Sequence, residues 1–225
     1  MEKINVFLDQ ISNFPKIGEG NEAKVYQFDN DRILKLYHAP KPFLEKKIVL
    51  LTEIQPLIKN THLPLGTVYS KGKFIGCIHR YHKNSVNFES LVNSSNHSYR
   101  IEKFKQLNNI INELITNNIY YDDLDSENVL ITPNNKVELI DTDSVQISTN
   151  NIENNKVKIC IYNQLKSMII ECLFNEEYFF NDKEVLSHYH VKSEYIDEIV
   201  KSNISYEFFN EFLDYLEKDK VLTLK

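Results

Sequence analysis

The sequence lacks the features that identify a membrane, secreted or nucleic-acid-binding protein. No apolar run approaches the roughly 18 residues of a membrane span, and the first residues do not form a signal peptide. The net charge is −6, whereas nucleic-acid-binding domains usually carry a basic excess. We therefore expect a cytoplasmic protein with no membrane span and no nucleic-acid partner.

Cysteine is also scarce, and its spacing offers no zinc set. Cys77, Cys160 and Cys172 lie far apart, and the sequence has no CxxC pair or Cys/His cluster. Structural zinc sites usually draw their four ligands from such close pairs. Three cysteines in apolar surroundings instead predict reduced thiols in the core.

What remains is the composition of a globular protein. The 225 residues are 42% hydrophobic and 26% charged, which is ordinary for a folded protein. This length allows one large core or two small lobes.

Residues 1–83 have the pattern of a small lobe. After a helix-like opening segment, strand patterns separated by glycines and turn residues predict an antiparallel sheet. Between Pro42 and Ile58, apolar residues at steps of three and four predict one helix, with Pro56 in its last turn. A further hairpin completes the lobe.

Residues 84–225 have mainly helical patterns. A long amphipathic helix is predicted over residues 100–118, and an apolar helix over residues 158–174. The Asn-rich segment 148–156 is predicted as a solvated loop, and two or three helices follow. The sequence therefore predicts an α+β protein with a sheet-containing first part and a helical second part.

The most informative segment, residues 121–144, places three polar residues around two apolar strands. Asp123 and Asn128 lie five residues apart, and Asp141 follows thirteen residues later. A PNN turn between VLIT and VELI predicts a hairpin that brings Asp141 back beside Asn128. A carboxylate and an amide oxygen suit Mg²⁺ bridging phosphates, which leaves Asp123 to meet a substrate hydroxyl. The alternative is that these residues only decorate a turn.

The first lobe contains residues suited to the other side of a phosphate site. Gly18 and Gly20 in IGEGNEAKVY let backbone amides approach phosphate oxygens. Lys35 stands alone in the apolar strand RILKLYH, where a buried ammonium needs a carboxylate. Glu45 and Glu53 on the following helix are candidates, and Glu45 is preferred because it can point inward. Alternatively, Lys35 reaches solvent at a strand edge.

Taken in order, the glycine loop, strand lysine, helix glutamate, YDDLDSEN loop and IDTD motif resemble the protein kinase superfamily. The resemblance covers roughly residues 14–175 and implies a bilobal kinase-like fold that binds ATP and Mg²⁺. The IDTDS motif is similar to that of a bacterial group of kinase-like proteins.

The resemblance also implies roles for individual residues. Gly18 and Gly20 would cover the nucleotide, and Lys35 would contact the α and β phosphates while Glu45 orients it. Asp123 would be the catalytic base, with Asn128 and Asp141 as the Mg²⁺ ligands.

The sequence departs from the family pattern around both motifs. Tyr121 and Asp122 replace the usual histidine and arginine, so the arginine that reads activation-loop phosphorylation is absent. Thr142 and Asp143 replace the phenylalanine and glycine of the metal motif, and Cys160 lies near a position that usually carries aspartate. The short segment after the metal motif, which has no APE sequence, leaves little platform for a peptide and favours a small-molecule or lipid-type acceptor.

Three functions remain open at this point. The first is an ATP- and Mg²⁺-dependent phosphotransferase whose acceptor is a protein Ser/Thr or a small molecule. The second is a pseudokinase or nucleotide-binding interaction module. The third is an enzyme that transfers AMP instead of phosphate.

Overall fold

The computed structural model describes residues 2–94, 96–121, 123–148, 151–174, 182–200 and 204–219. These residues form an α+β protein, in which a six-stranded mixed sheet with helices precedes a mostly helical part. The chain divides into two compact units. Unit 1 comprises residues 1–85 and 141–143, and unit 2 comprises residues 86–140 and 144–225. Among the described residues, no helix has the length and apolar character that crossing a membrane requires.

Unit 1 is built on one sheet. Its strands are β1 (Glu2–Asn5), β2 (Lys16–Glu19), β3 (Ala23–Gln27), β4 (Arg32–Tyr37), β5 (Gly66–Ser70) and β6 (Lys73–Arg80). Their order in the sheet is β1-β5-β6-β4-β3-β2. The helices of this unit are α1 (Leu8–Ile11) and α2 (Pro42–Ile54), and a 3-10 turn at Gln55–Leu57 continues α2.

Helix α2 confirms the prediction from apolar spacing. Pro42 occupies its first turn, where the missing N–H costs no hydrogen bond. Ile48 and Leu51 are fully buried, as the three-residue spacing requires for one face. Pro56 lies in the 3-10 turn that ends this helical segment.

The two faces of the central strands have different chemistry. Lys35 on β4 and Cys77 on β6 are cross-strand partners, so they share one face with Tyr37 and His79, two positions along their strands. The other face carries an apolar core, whose buried members are Val6, Ile11, Leu34, Val68 and Ile78. The sheet is therefore apolar on one side and presents a polar cluster on the other.

The opening segment is not the helix that the sequence predicted. Residues Glu2–Asn5 form β1, which pairs in parallel with β5, and only Leu8–Ile11 are helical. A side chain at Gly66 would overlap the Glu2 carbonyl oxygen, so this glycine permits the close pairing. Because β5 supplies hydrogen-bond partners along its whole length, strand pairing prevails, and the sheet is mixed instead of wholly antiparallel.

Unit 2 combines short strands with longer helices. The strands are β7 (Val86–Asn87), β8 (Ile119–Tyr120), β9 (Val129–Ile131), β10 (Val137–Leu139) and β11 (Gln146–Ile147). The helices are α3 (His97–Thr116), α4 (Asn151–Phe174), α5 (Asp182–His188), α6 (Ser193–Val200) and α7 (Tyr206–Lys218). Strands β10, β9 and β7 form one small sheet, and β11 pairs with β8.

The helices of unit 2 confirm one prediction and correct another. The apolar face of α3 is buried, with Phe104, Leu107 and Ile111 at most 1% exposed. Helix α4, however, begins at Asn151, inside the segment predicted as a loop. Asn155 and Lys156 are exposed there, so their polar side chains stay hydrated while the backbone remains helical.

Candidate functional site

The hairpin predicted from residues 129–139 is present in unit 2. Strands β9 and β10 pair antiparallel, with Ile131 opposite Val137. Asn135 closes the turn with a φ of +64°, and asparagine tolerates this left-handed conformation better than most residues. After the hairpin, the Ile140 amide donates to the Asn128 carbonyl at 3.0 Å. The backbone that leads into Asp141 therefore returns to Asn128.

Asn128 fixes the loop that carries Asp123. Its amide nitrogen donates to the Asp123 carbonyl at 3.0 Å and to the Asp123 carboxylate at 3.1 Å. Asp125 holds the same loop by accepting from the Glu127 amide at 2.8 Å. Asp123 itself is exposed. The bonds use the nitrogen of the Asn128 amide, which leaves its oxygen as the atom suited to a metal.

Tyr121 has a structural role in this loop. The residue is 1% exposed, and its hydroxyl donates to the Ile140 carbonyl at 2.8 Å. The residue that replaces the usual histidine therefore ties the loop to the end of the hairpin. Asp122, the second replacement, lies outside the described residues.

Lys35 is buried in unit 1 and pairs with two carboxylates. Its ammonium lies 2.5 Å from Asp141 Oδ1 and 3.0 Å from Asp143 Oδ1. The residue is 6% exposed, so the side chain does not extend to solvent. Lys35 and Asp141 are 106 positions apart in the sequence, and the fold of unit 1 brings them together.

The structure does not bring Glu45 to Lys35. The Glu45 carboxylate accepts from the Tyr69 hydroxyl at 2.6 Å, and Glu53 is exposed. In the part of the chain that the structure describes, the carboxylates paired with Lys35 are Asp141 and Asp143. The partner predicted from the α2 helix is thus replaced by two residues of the IDTD motif.

Asp143 is the centre of a buried polar network. Tyr37 donates its hydroxyl proton to Oδ2 at 2.5 Å, and His79 Nε2 lies 3.3 Å from Oδ1. Cys77 Sγ lies 3.1 Å from both the Tyr37 hydroxyl and His79 Nε2. With Lys35 also on Oδ1, both oxygens of Asp143 are bonded to side chains of β4 and β6.

Burial and charge oppose each other in the pKa values of this network. Burial alone would raise the pKa of the Asp143 carboxyl, but His79 and Lys35 hold it well below its usual range. Burial would lower the pKa of His79, whereas Cys77 and Asp143 raise it to about 10. Burial likewise acts to lower the pKa of Lys35, and Asp143 and Asp141 reverse that effect. The buried Asp143 carboxylate and the Lys35 and His79 side chains therefore stabilise one another's charged forms.

The segment 141–143 belongs to unit 1 although its sequence neighbours belong to unit 2. Thr142 is fully buried and donates from Oγ1 to the His62 carbonyl at 3.0 Å. Asp141 has a φ of +59° and a side chain that is 45% exposed. A non-glycine residue in this conformation often marks a functional position, and here it leaves one carboxylate both anchored and accessible.

The glycines of the predicted phosphate loop lie at the end of β2. A side chain at Gly18 would make ordinary contact with Val25, and one at Gly20 would meet nothing within 4 Å. The Gly20 amide donates to the Ala23 carbonyl at 2.9 Å, which closes a tight turn. Packing among the described residues therefore does not require glycine at position 20.

The cysteines differ from the prediction of three core thiols. Cys77 and Cys172 are buried, but Cys160 is exposed on α4. Cys77 also joins His79 and Asp143 in a set whose potential ligand atoms lie within 4.8 Å of one another, a distance at which three side chains could share one metal ion. Sequence spacing did not indicate this set, because its third member, Asp143, lies 64 positions after His79 (143 − 79). The ion pairs and hydrogen bonds described above already satisfy the three side chains.

Unit 2 contains an open cavity of about 620 Å³ beside the loop that follows Asp123. Leu124 and Met168 form an apolar part of the cavity wall. Four carboxylates also line it: Glu89, Asp125, Glu127 and Glu171. Among the described residues, no lysine or arginine forms an ion pair with any of these four. Burial raises the pKa of Glu171, and the charges of Asp125 and Glu89 add to this effect.

The models of known protein families do not match the chain, and a search of curated proteins found no significant match.

Proposed function

We propose that the protein is an ATP- and Mg²⁺-dependent phosphotransferase with a bilobal, kinase-like form of its α+β fold. In this proposal Lys35 binds the α and β phosphates, and Gly18 and Gly20 lie against the nucleotide. Asp123 accepts the proton of the acceptor hydroxyl. Asn128 and Asp141 hold the metal.

The observation that carries the proposal is the pairing of Lys35 with Asp141. A buried lysine at 2.5 Å from a half-exposed carboxylate presents a cation and an anion at one place. The cation suits phosphate oxygens and the anion suits the metal that accompanies them. Stability alone does not account for a lysine at this position, because a buried ion pair seldom stabilises a fold more than apolar residues do.

Each of the two proposed ligands, taken by itself, offers the kind of donor that Mg²⁺ prefers. The Asp141 side chain is 45% exposed. The Asn128 amide bonds to Asp123 through its nitrogen, so its oxygen is the atom that would contact a metal. Hard oxygen ligands of this kind suit Mg²⁺ better than softer metals. When bound, the metal would neutralise charge on the phosphates.

Asp123 has the properties of a general base. It is exposed to an incoming acceptor, and the Asn128 amide holds both its carbonyl and its carboxylate. Such fixation orients a catalytic group before the substrate arrives, which reduces the cost of reaching the reactive geometry.

The cavity beside this loop supports an acceptor that carries amino or guanidinium groups. Its four carboxylates have no basic partner among the described residues, and the raised pKa of Glu171 reflects burial together with its acidic neighbours. A concave site with one sign of charge concentrates ligands of the opposite sign. Among hydroxyl-bearing acceptors, amino sugars and basic Ser/Thr peptides should therefore outperform neutral ones.

The test uses purified protein with Mg²⁺ and ATP labelled at either the α or the γ phosphate. We expect transfer of the γ label to an acceptor or to the protein itself, and loss of transfer in Asp123→Asn. Thermal unfolding with and without Mg·ATP measures binding separately. Lys35→Met should abolish the stabilisation by nucleotide.

The other outcomes distinguish the alternatives. Transfer of the α label would identify AMP transfer. Stabilisation by ATP without transfer of either label would identify a nucleotide-binding module that acts through a partner. If ATP neither stabilised the protein nor donated any label, the nucleotide-dependent function would be wrong.

A further inference from the structure

We propose that Asp143 is the positioning residue for Lys35, in place of a glutamate on the helix. This proposal rests on the phosphotransferase function proposed above and concerns how its lysine is held. It assigns to the last residue of the IDTD motif a role that neither the motif spacing nor the resemblance predicts.

The geometry of Asp143 is that of an anchor. Its Oδ1 lies 3.0 Å from the Lys35 ammonium and 3.3 Å from His79 Nε2. Its Oδ2 accepts from the Tyr37 hydroxyl at 2.5 Å. Side chains of β4 and β6 therefore bond to both oxygens. Tyr37 and His79 orient the carboxylate independently of its bond to Lys35.

The two carboxylates on Lys35 differ in a way that separates their roles. The Asp143 side chain is 4% exposed, whereas that of Asp141 is 45% exposed. A charge pair is stronger where water is excluded, so Asp143 provides the firmer hold. Asp141 is the more exposed of the two. The buried carboxylate therefore positions the lysine, and the exposed one is the proposed metal ligand.

Helix α2 takes no part in this arrangement. Glu45 is bonded to Tyr69, and Glu53 is exposed. The partners of Lys35 instead come from residues 141–143, which belong to the same compact unit as the sheet. The lysine should therefore stay in its binding position whether or not α2 moves, and a regulator that displaced α2 would leave nucleotide affinity unchanged.

The decisive comparison is Asp143→Asn against Glu45→Gln, since both substitutions remove one charge with little change of shape. We expect Asp143→Asn to raise the KM for ATP by about tenfold or more, the effect of losing a bond to a charged group. The KM for the acceptor should stay unchanged. Glu45→Gln should change the KM for ATP by less than about twofold.

A second variant and a second readout keep the test independent of folding and of catalysis. Tyr37→Phe leaves every charge in place and removes the hydroxyl that bonds to Asp143 Oδ2 and lies 3.1 Å from Cys77 Sγ, so it should raise the KM for ATP by a smaller factor. Labelling by acetic anhydride, followed by mass spectrometry, reports Lys35 directly. Its acetylation should be faster in Asp143→Asn than in the unsubstituted protein and unchanged in Glu45→Gln.

The results separate failure of this proposal from failure of the proposed function. If the protein binds no ATP but Asp143→Asn still exposes Lys35 to labelling, Asp143 anchors the lysine and the phosphotransferase function is wrong. If Asp143→Asn leaves both the KM for ATP and the labelling of Lys35 unchanged, Asp143 is not the positioning residue. An effect of Glu45→Gln as large as that of Asp143→Asn would also overturn it.

Discussion

The stability of the protein should depend far more on Asp143 than on Asp141, although both carboxylates pair with the same ammonium. The perturbation is Asp→Asn at each position, which keeps the shape and removes the charge. Asparagine also tolerates the positive φ of Asp141, so backbone strain is the same in that variant and in the unsubstituted protein. The two variants therefore form a matched pair that differs in burial.

Burial sets the expected magnitudes. The Asp143 side chain is 4% exposed, and its loss leaves Lys35 and protonated His79 with one carboxylate fewer in a dry site. Breaking a buried pair in this way costs about 3–5 kcal/mol. The Asp141 side chain is 45% exposed, so water screens its pair and its loss should cost about 1 kcal/mol or less.

Thermal unfolding followed by circular dichroism measures the difference. For a chain of this size, 1 kcal/mol corresponds to about 2–4 °C in Tm. We therefore expect Asp143→Asn to lower Tm by about 6–20 °C, and Asp141→Asn to lower it by less than about 4 °C. Equal losses, or a larger loss for Asp141→Asn, would refute the assignment of Asp143 as the buried anchor.

Three further predictions concern other parts of the molecule. Gly20→Ala should leave Tm unchanged, because a side chain there meets no described atom within 4 Å. It should weaken ATP binding, because Gly20 is proposed to lie against the nucleotide. Gly76→Ala should instead lower Tm, because its side chain would overlap the Lys35 carbonyl. His79, with its pKa raised to about 10, contributes stability that is present below about pH 6.5 and is lost as pH rises towards 10. Urea unfolding across that range should show a flatter profile for His79→Gln, and an unchanged slope would contradict the raised pKa. Cys160 is the only exposed thiol among the three cysteines, so one equivalent should react rapidly with Ellman's reagent, and Cys160→Ser should remove that fast phase.

Several elements could be predicted from the sequence because their determinants are local. The apolar spacing of α2 and α3 and the turn chemistry of the β9–β10 hairpin are properties of short segments. The burial of Lys35 followed from its place in an apolar strand, with a carboxylate as the required partner. In each case neighbouring residues contained the information.

Predictions failed where a distant segment competed with local preference. The opening residues joined the sheet because β5 offered an open edge and Gly66 allowed close approach. Residues 151–156 continued a helix although asparagines usually favour turns. Tertiary pairing and helix extension outweighed intrinsic propensity in both segments.

The sequence by itself determined that this is an α+β protein with an isolated lysine, a glycine turn and the Asp123, Asn128 and Asp141 set at fixed spacings. The tertiary structure decided which carboxylate holds the lysine. The sequence favoured Glu45 because it can point inward, but Lys35 pairs with Asp141 and Asp143, which lie 106 and 108 positions away. The physical reason is that an ion pair depends on which side chains share a water-excluded space, and only the packing of residues 141–143 against the sheet creates that space.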